Sequence, residues 1–228
     1  MPGDPGRVPL LAQRLEGARQ VAANREFVSW SGELEGAQVT VTSTGIGCPS
    51  AAIAVEELHA CGTDTFIRVG TAGGMQQDVL VGDLVVAEAA VRDEGTSPQY
   101  VPLAFPAVAD PDVTLALREG ARALGLRHHV GVVHSKDSFY GQREPERMPV
   151  ADELGARWRA WIRAGVLCSE MEAAAIYVVA RSLRARAGGL MLIAGNQELK
   201  GARRDAARLE PLLDGAIEGL RRLIRADG

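Results

Sequence analysis

The chain has 228 residues, of which 46% are hydrophobic and 24% charged, with a formal net charge of −4. That balance suits one α/β-sized globular unit with a sizeable core and argues against a general nucleic-acid binder. No apolar stretch is long enough to span a membrane, and the first residues lack the basic region and apolar core of a secretory signal.

Met1-Pro-Gly-Asp-Pro-Gly-Arg7 reads as a loop feeding a helix over Val8 to Arg19. In an α/β protein such a loop follows a strand, and none precedes it here. Val21 to Leu34 reads as strand with an interruption, Glu35-Gly36 as a turn, and Ala37 to Ser43 as an alternating strand. A glycine turn spans Ser43 to Ser50, and Ala51 to Cys61 is an amphipathic helix opened by Pro49. Thr65 to Gly70 is an apolar strand ending in a second glycine turn. Gly82 to Val91 is a further strand, and Arg92 to Ala109 a long proline-containing connection. A helix starts at Asp110-Pro111 and runs to Leu124. His129 to His134 is a strand and Ser135 to Val150 an irregular loop. Helix is expected over Ala151 to Arg163, strand over Val166 to Ser169, helix over Glu170 to Leu183, strand over Gly189 to Ala194, and helix over Asp205 to Arg225. Strands alternating with helices imply one mostly parallel or mixed central sheet covered on both faces, with function at the carboxyl ends of its strands.

The stretch Phe66-Ile-Arg-Val-Gly-Thr-Ala-Gly-Gly74 carries a guanidinium inside an apolar strand. Such a charge costs several kcal/mol unless it is paired. It is therefore either a structural ion pair or one wall of an anion site, to which Thr71 and the N–H groups around Gly70 would contribute. Arg7 and Arg25 also stand beside turns. Neither a GxxxxGK[ST] nor a GxGxxG pattern is present. Ser169-Glu-Met-Glu-Ala173 sets Glu170 and Glu172 two apart, pointing to different sides if extended. One of them could take a sugar's vicinal hydroxyls; the bland alternative is the preference of acids for helix N-termini. In Asp137-Ser-Phe-Tyr-Gly-Gln-Arg-Glu144, Phe139 could stack on a planar ring and Gln142 pair with an amide-like base edge. Cys48, Cys61 and Cys168 form no CxxC pair and the four histidines show no metal spacing, which makes a reduced, cytoplasmic protein the default.

Taken together, Ser43-x-Gly45-Ile46-Gly47-x-Pro49-Ser50-x-Ala52-Ile53-x-x-x-Glu57-Leu58, the Pro2-Gly-Asp-Pro5 loop, Arg68-Val-Gly-Thr-Ala-Gly73, Asp137-Ser-Phe-Tyr140 and Ser169-Glu-Met-Glu172 resemble the trimeric and hexameric nucleoside phosphorylases. Within these they resemble the uridine phosphorylases. The resemblance covers nearly the whole chain and implies a single phosphorylase domain over residues 1–228, shorter at its start by about one strand. It implies phosphorolysis of a pyrimidine nucleoside, with inorganic phosphate as co-substrate and no organic cofactor; the alternatives are a purine phosphorylase or a nucleosidase of the same fold, or a catalytically impaired nucleoside-binding protein. By that resemblance Gly3, Arg7, Arg68, Gly70 and Thr71 hold phosphate, joined by Arg25 from a neighbouring subunit. Glu170, Met171 and Glu172 form the ribose site, and Phe139 and Gln142 the base site, with Arg143 or else Arg147 in place of the usual uracil-binding arginine. Arg68 and Glu172 carry the chemistry. Glu26, Ile46 and Ser50 match a monovalent-cation (potassium) site between subunits, and a homodimer assembling to a homohexamer is implied. Two residues depart from the pattern: Glu144 and Gln197 stand where relatives carry uracil-site arginines. A purine-specific relative would place an aspartate after the strand ending at Ala194; here the residues are Gly195-Asn196-Gln197.

Overall fold

Apolar residues along the central strands alternate between two faces, so the sheet divides the core in two. The computed structural model describes residues 1–199 and 208–228. In chain order its strands are β1 (Glu16–Asn24), β2 (Phe27–Leu34), β3 (Ala37–Thr42), β4 (Thr65–Gly74), β5 (Leu84–Asp93), β6 (Ala107–Val108), β7 (His128–Lys136), β8 (Cys168–Glu170) and β9 (Arg186–Asn196). The helices are α1 (Val8–Ala12), α2 (Cys48–Ala60), α3 (Pro111–Ala123), α4 (Phe139–Arg143), α5 (Ala151–Arg163), α6 (Ala173–Ser182) and α7 (Glu210–Asp227). Strands β1–β2–β3 make a separate antiparallel sheet, while the central mixed sheet runs β6-β5-β7-β8-β4-β9. Because β9 also pairs back onto β5, strands β5, β7, β8, β4 and β9 close into a ring.

Phe66, Val85 and Met191 point to one side, where Val55 of α2 and Tyr177 of α6 cover them. Val69, Leu84, Val86 and Leu190 point to the other, against Leu117 of α3, Leu212 of α7 and Val41 of β3. This is the period-2 alternation of a sheet buried on both faces. Helices α3 and α7 meet backbone to backbone: a Cβ on Gly120 would lie 2.5 Å from the Gly219 amide nitrogen. The expected mixed α/β architecture with helices on both faces is thus borne out.

Local capping explains the elements that match most closely. Asp110 accepts from the amides of Asp112 and Val113 ahead of Pro111, which fixes the start of α3. Helix α5 has the expected bounds. Elsewhere the structure corrects the reading. The helix expected over Val8 to Arg19 ends at Ala12, and Glu16 onward is strand, because β1 finds β2 as a hairpin partner. The interruption in Val21 to Leu34 is the hairpin turn, with Arg25 at φ 52. The glycine stretch after Gly70 is not a turn: β4 continues to Gly74, paired with Gly195 and Asn196 on one side and with Ser169 and Cys168 on the other. The loop over Ser135 to Val150 contains α4. Glu170 ends β8, and the following helix starts only at Ala173. Of the C-terminal helix expected over Asp205 to Arg225, residues 205–207 lie outside the described residues. Met1 lies alongside β4, its ammonium donating to the Ile67 carbonyl at 2.7 Å and its carbonyl accepting from the Val69 amide at 3.0 Å.

Candidate active site

Strand β4 brings Arg68 into the protein interior, only 3% exposed. Its Nε donates to Glu170 Oε2 at 2.7 Å and its Nη2 pairs with Glu172 Oε2. Both carboxylates therefore meet one guanidinium, contrary to the expectation that they diverge. The reason is local: Glu170 closes β8, the chain bends at Met171, and Glu172 takes the N-cap position of α6 with φ −139 and ψ −24. Glu170 is anchored further, accepting from the Glu172 amide at 2.8 Å, from the Ala173 amide and from the Ser135 hydroxyl of β7. Glu172 Oε1 accepts from the Gly47 amide at 2.6 Å, at the start of α2, where the helix dipole favours negative charge.

The electrostatics follow from burial and pairing. Burial alone would lower the pKa of Arg68, but Glu172 and Glu170 more than reverse it, so it stays charged. Burial opposes ionisation of Glu170, yet Arg68 and the Ser135 hydroxyl hold its pKa below the usual carboxylate range. Glu172 moves the other way: burial pushes its pKa up, Arg68 opposes this, and Glu170 adds to it. Lys136, at the end of β7, is pushed down to about 8 by burial, against the pull of both glutamates. The ion-paired reading of Arg68 and the anion-site reading are compatible, because the pairing is incomplete. Among the described residues, Arg68 Nη1 is buried without a hydrogen-bond partner, and so is Arg7 Nε, with Asp4 Oδ2 standing off at 3.7 Å. Burial lowers the pKa of Arg7, Asp4 opposes this, and the charge of Arg68 lowers it further, so the two guanidinium groups sense each other. Two unspent N–H donors on cations that sense each other are the chemistry an oxyanion takes.

Of the remaining expected phosphate residues, Gly70 meets Arg68 directly. Gly70 lies beneath Arg68, and a Cβ there would come within 2.8 Å of the guanidinium carbon. Thr71 follows it on β4, half-buried. Gly3 abuts Gly45, where the Thr44 amide donates to the Pro2 carbonyl at 2.8 Å. Arg25 is not brought to Arg68 within the chain; it sits exposed at the tip of the β1–β2 hairpin. The Met171 carbonyl accepts from the Cys48 thiol at 3.2 Å. Glu26 and Ser50 do come together, the hydroxyl donating to the carboxylate at 2.8 Å, while the Ile46 side chain is 79% exposed. Clustered oxygen donors are the chemistry that a hard monovalent cation takes.

The base-side residues sit on α4, beside a cavity of about 390 Å³ that also reaches Trp158 and Trp161 of α5. Phe139 is half exposed, with Arg143 stacked 5.3 Å from its ring centroid. Gln142 Oε1 is 2.8 Å from the Ser169 hydroxyl, and Gln142 Nε2 donates to Gln197 Oε1 at 2.8 Å. Arg143 lines the cavity, whereas Arg147 is engaged by Glu144 and lies over Tyr140. Sequence reasoning did not assign roles to Asp93, His134 or Lys136, which flank Ser169. Their one legible signal is polarity at the end of an apolar strand, His134-Ser-Lys136 after Val130 to Val133.

The sequence profile of the phosphorylase superfamily matches residues 1–223. The uridine phosphorylase of Treponema pallidum is 46% identical over 230 residues, covering 100% of this chain and 89% of that protein. The uridine phosphorylase of Escherichia coli is 40% identical, covering 98% of this chain and 91% of that protein. The guanosine phosphorylase of Halorubrum lacusprofundi is 41% identical, covering 99% and 90% respectively. Matched along nearly its whole length, the chain belongs to the phosphorylase superfamily.

Proposed function

We propose that this protein cleaves a pyrimidine nucleoside by phosphorolysis, converting uridine and inorganic phosphate to uracil and ribose 1-phosphate. The observation that carries the reading is the pair of unpartnered buried guanidinium donors, Arg68 Nη1 and Arg7 Nε, beside the Glu170–Glu172 carboxylates. The cations hold phosphate, and Glu172 accepts from the ribose hydroxyls. A phosphate oxygen forms the new bond to the anomeric carbon as the glycosidic bond breaks through an oxocarbenium-like state. The bonding pair leaves on the base, whose carbonyl and N–H edge meets Gln142, with Arg143 nearby to offset the developing negative charge. Positioning and preorganised charge supply most of the rate, and no covalent intermediate with the protein is needed. Gly3, Gly70 and Thr71 complete the phosphate cradle, Met171 the sugar site and Phe139 the base site.

Arg25 serves the phosphate site of a neighbouring subunit, so the working unit is a homodimer assembling to a homohexamer. A potassium ion would sit at Glu26, Ile46 and Ser50 between subunits. The protein works in the cytoplasm as one domain, with a nucleoside and phosphate as its partners.

One specific observation favours a second reading. Glu144 and Gln197 stand where uracil-site arginines are expected, and a relative 41% identical over 231 residues is named a guanosine phosphorylase. The test is base release from uridine, thymidine, inosine and guanosine, each with and without phosphate. Uridine cleavage only with phosphate is expected; preference for either purine nucleoside overturns the base assignment.

A further inference from the structure

The carboxyl ends of the parallel strands β5, β7 and β8 hold a hydrogen-bonded row that leads to Gln142. Asp93 Oδ2 is 3.0 Å from His134 Nε2, and His134 Nδ1 is 2.9 Å from Ser169 Oγ. His134 and Ser169 are register partners on β7 and β8. Lys136 Nζ donates to the same hydroxyl at 2.9 Å, and the hydroxyl lies 2.8 Å from Gln142 Oε1.

A serine hydroxyl has one hydrogen and two acceptor sites, so three partners use all of its capacity, and fixing two of them fixes the third. The ammonium of Lys136 only donates. Asp93, whose pKa is held below the usual range first by His134, only accepts. The hydrogen on His134 Nε2 is therefore fixed. With His134 neutral, Nδ1 is bare; Ser169 must donate to it and has only an acceptor site left for Gln142, whose NH2 then faces Ser169. With His134 protonated, Nδ1–H and Lys136 fill both acceptor sites. Ser169 then donates to Gln142 Oε1, the amide orientation that the structure holds. Turning the Gln142 amide also turns Gln197, because its Oε1 accepts from Gln142 Nε2 at 2.8 Å.

We propose that His134, held by Asp93, is a positioning residue for base recognition: through Ser169 it sets the order in which Gln142 and Gln197 present donor and acceptor to the base. The charged groups around His134 are Asp93 on β5, Lys136 on its own strand, which shares the Ser169 hydroxyl, and Arg157 on α5, which pairs with Asp93 Oδ1 at 2.7 Å. Trp158 and Trp161 pack on the imidazole, with ring centroids 6.4 and 6.2 Å away, and restrict its rotation.

The inference rests on the reading that Gln142 meets the base, and its test separates the two. The KM for uridine is measured against pH through the range in which an imidazole titrates, alongside kcat and the KM for phosphate. In the wild type the uridine KM changes by about tenfold, the worth of one hydrogen bond. In Ser169→Ala that step disappears, and so it does in Asp93→Asn, whose amide can donate to Nε2 and let a neutral imidazole keep its hydrogen on Nδ1. Any pH dependence of kcat and of the phosphate KM is common to wild type and Ser169→Ala. A uridine step that persists in folded Ser169→Ala contradicts the proposal, as does its absence from an active wild type. Absence of uridine turnover overturns the underlying reading instead. A second measurement needs no turnover: in the ligand-free wild type the Gln142 side-chain amide resonance shifts as His134 titrates. A Gln142 amide indifferent to the protonation of His134 overturns the proposal whichever nucleoside is cleaved.

Discussion

The two halves of the site are built from different materials. Around Arg68 a buried ion pair sets the geometry, with Glu170 at 2.7 Å, and strand ends and a helix N-terminus hold its carboxylates through the Gly47 amide on Glu172 and the Ser135 hydroxyl on Glu170. Around Gln142 the contacts are neutral amides and a hydroxyl, on a five-residue helix with Phe139 half exposed. A buried ionic cluster has one acceptable arrangement, since losing a partner strands a charge. An amide row has two arrangements close in energy and adapts to its neighbours. The residues proposed to hold phosphate and ribose thus sit in the rigid half. The residues that depart from the family's pattern, Glu144 and Gln197, sit in the adaptable half.

The comparison breaks most visibly at Arg68. Arg68→Ala removes the phosphate donor and strands Glu170 and Glu172; kcat/KM should fall about 10²–10³-fold or more, equivalent to roughly 3–5 kcal/mol. Steady-state kinetics beside a thermal melt separate the loss of the site from loss of the fold, and near wild-type phosphorolysis would remove Arg68 from the mechanism. Glu172→Gln is next, with an expected loss of about 100-fold in kcat/KM for the nucleoside and little change in the phosphate KM. It also probes pH. Burial raises the pKa of Glu172, so it is the first of the two glutamates to take a proton as pH falls. The acid limb of kcat/KM should lie above the pH of an ordinary glutamate and vanish in Glu172→Gln; a limb unchanged in the variant assigns it to another group.

Gly120→Ala tests whether the site is separable from the scaffold. The added methyl has no room at the α3–α7 contact, so stability should fall by about 1–3 kcal/mol in urea unfolding, with kcat/KM per folded molecule unchanged. The smallest effect is expected in the adaptable half. Gln197→Arg restores a charged donor beside Gln142 and should raise uridine-over-inosine selectivity by about 3–10-fold, through KM. Unchanged selectivity would show that Gln197 does not meet the base.

The rigid half was the more legible in sequence, for a physical reason. A single arginine in an apolar strand next to glycines is costly and therefore informative, and Arg68 is indeed buried and ion-paired. The start of α3 was legible because its determinant is local: Asp110 caps it ahead of Pro111. What was illegible depends on partners far along the chain. Gly73 and Gly74 belong to β4 only because Gly195 and Asn196 lie alongside. Glu170 and Glu172 converge because the chain bends between β8 and α6. Asp93, His134 and Ser169 meet through strand order, at separations of 41 and 35 residues that no spacing rule links.

Phosphorolysis requires the two unspent guanidinium donors to hold a phosphate that takes the sugar. The most direct test follows the sugar product of uridine cleavage with and without inorganic phosphate. One ribose 1-phosphate per uracil, with no turnover when phosphate is omitted, is the predicted result. Free ribose released at an undiminished rate without phosphate would contradict it and make water the nucleophile.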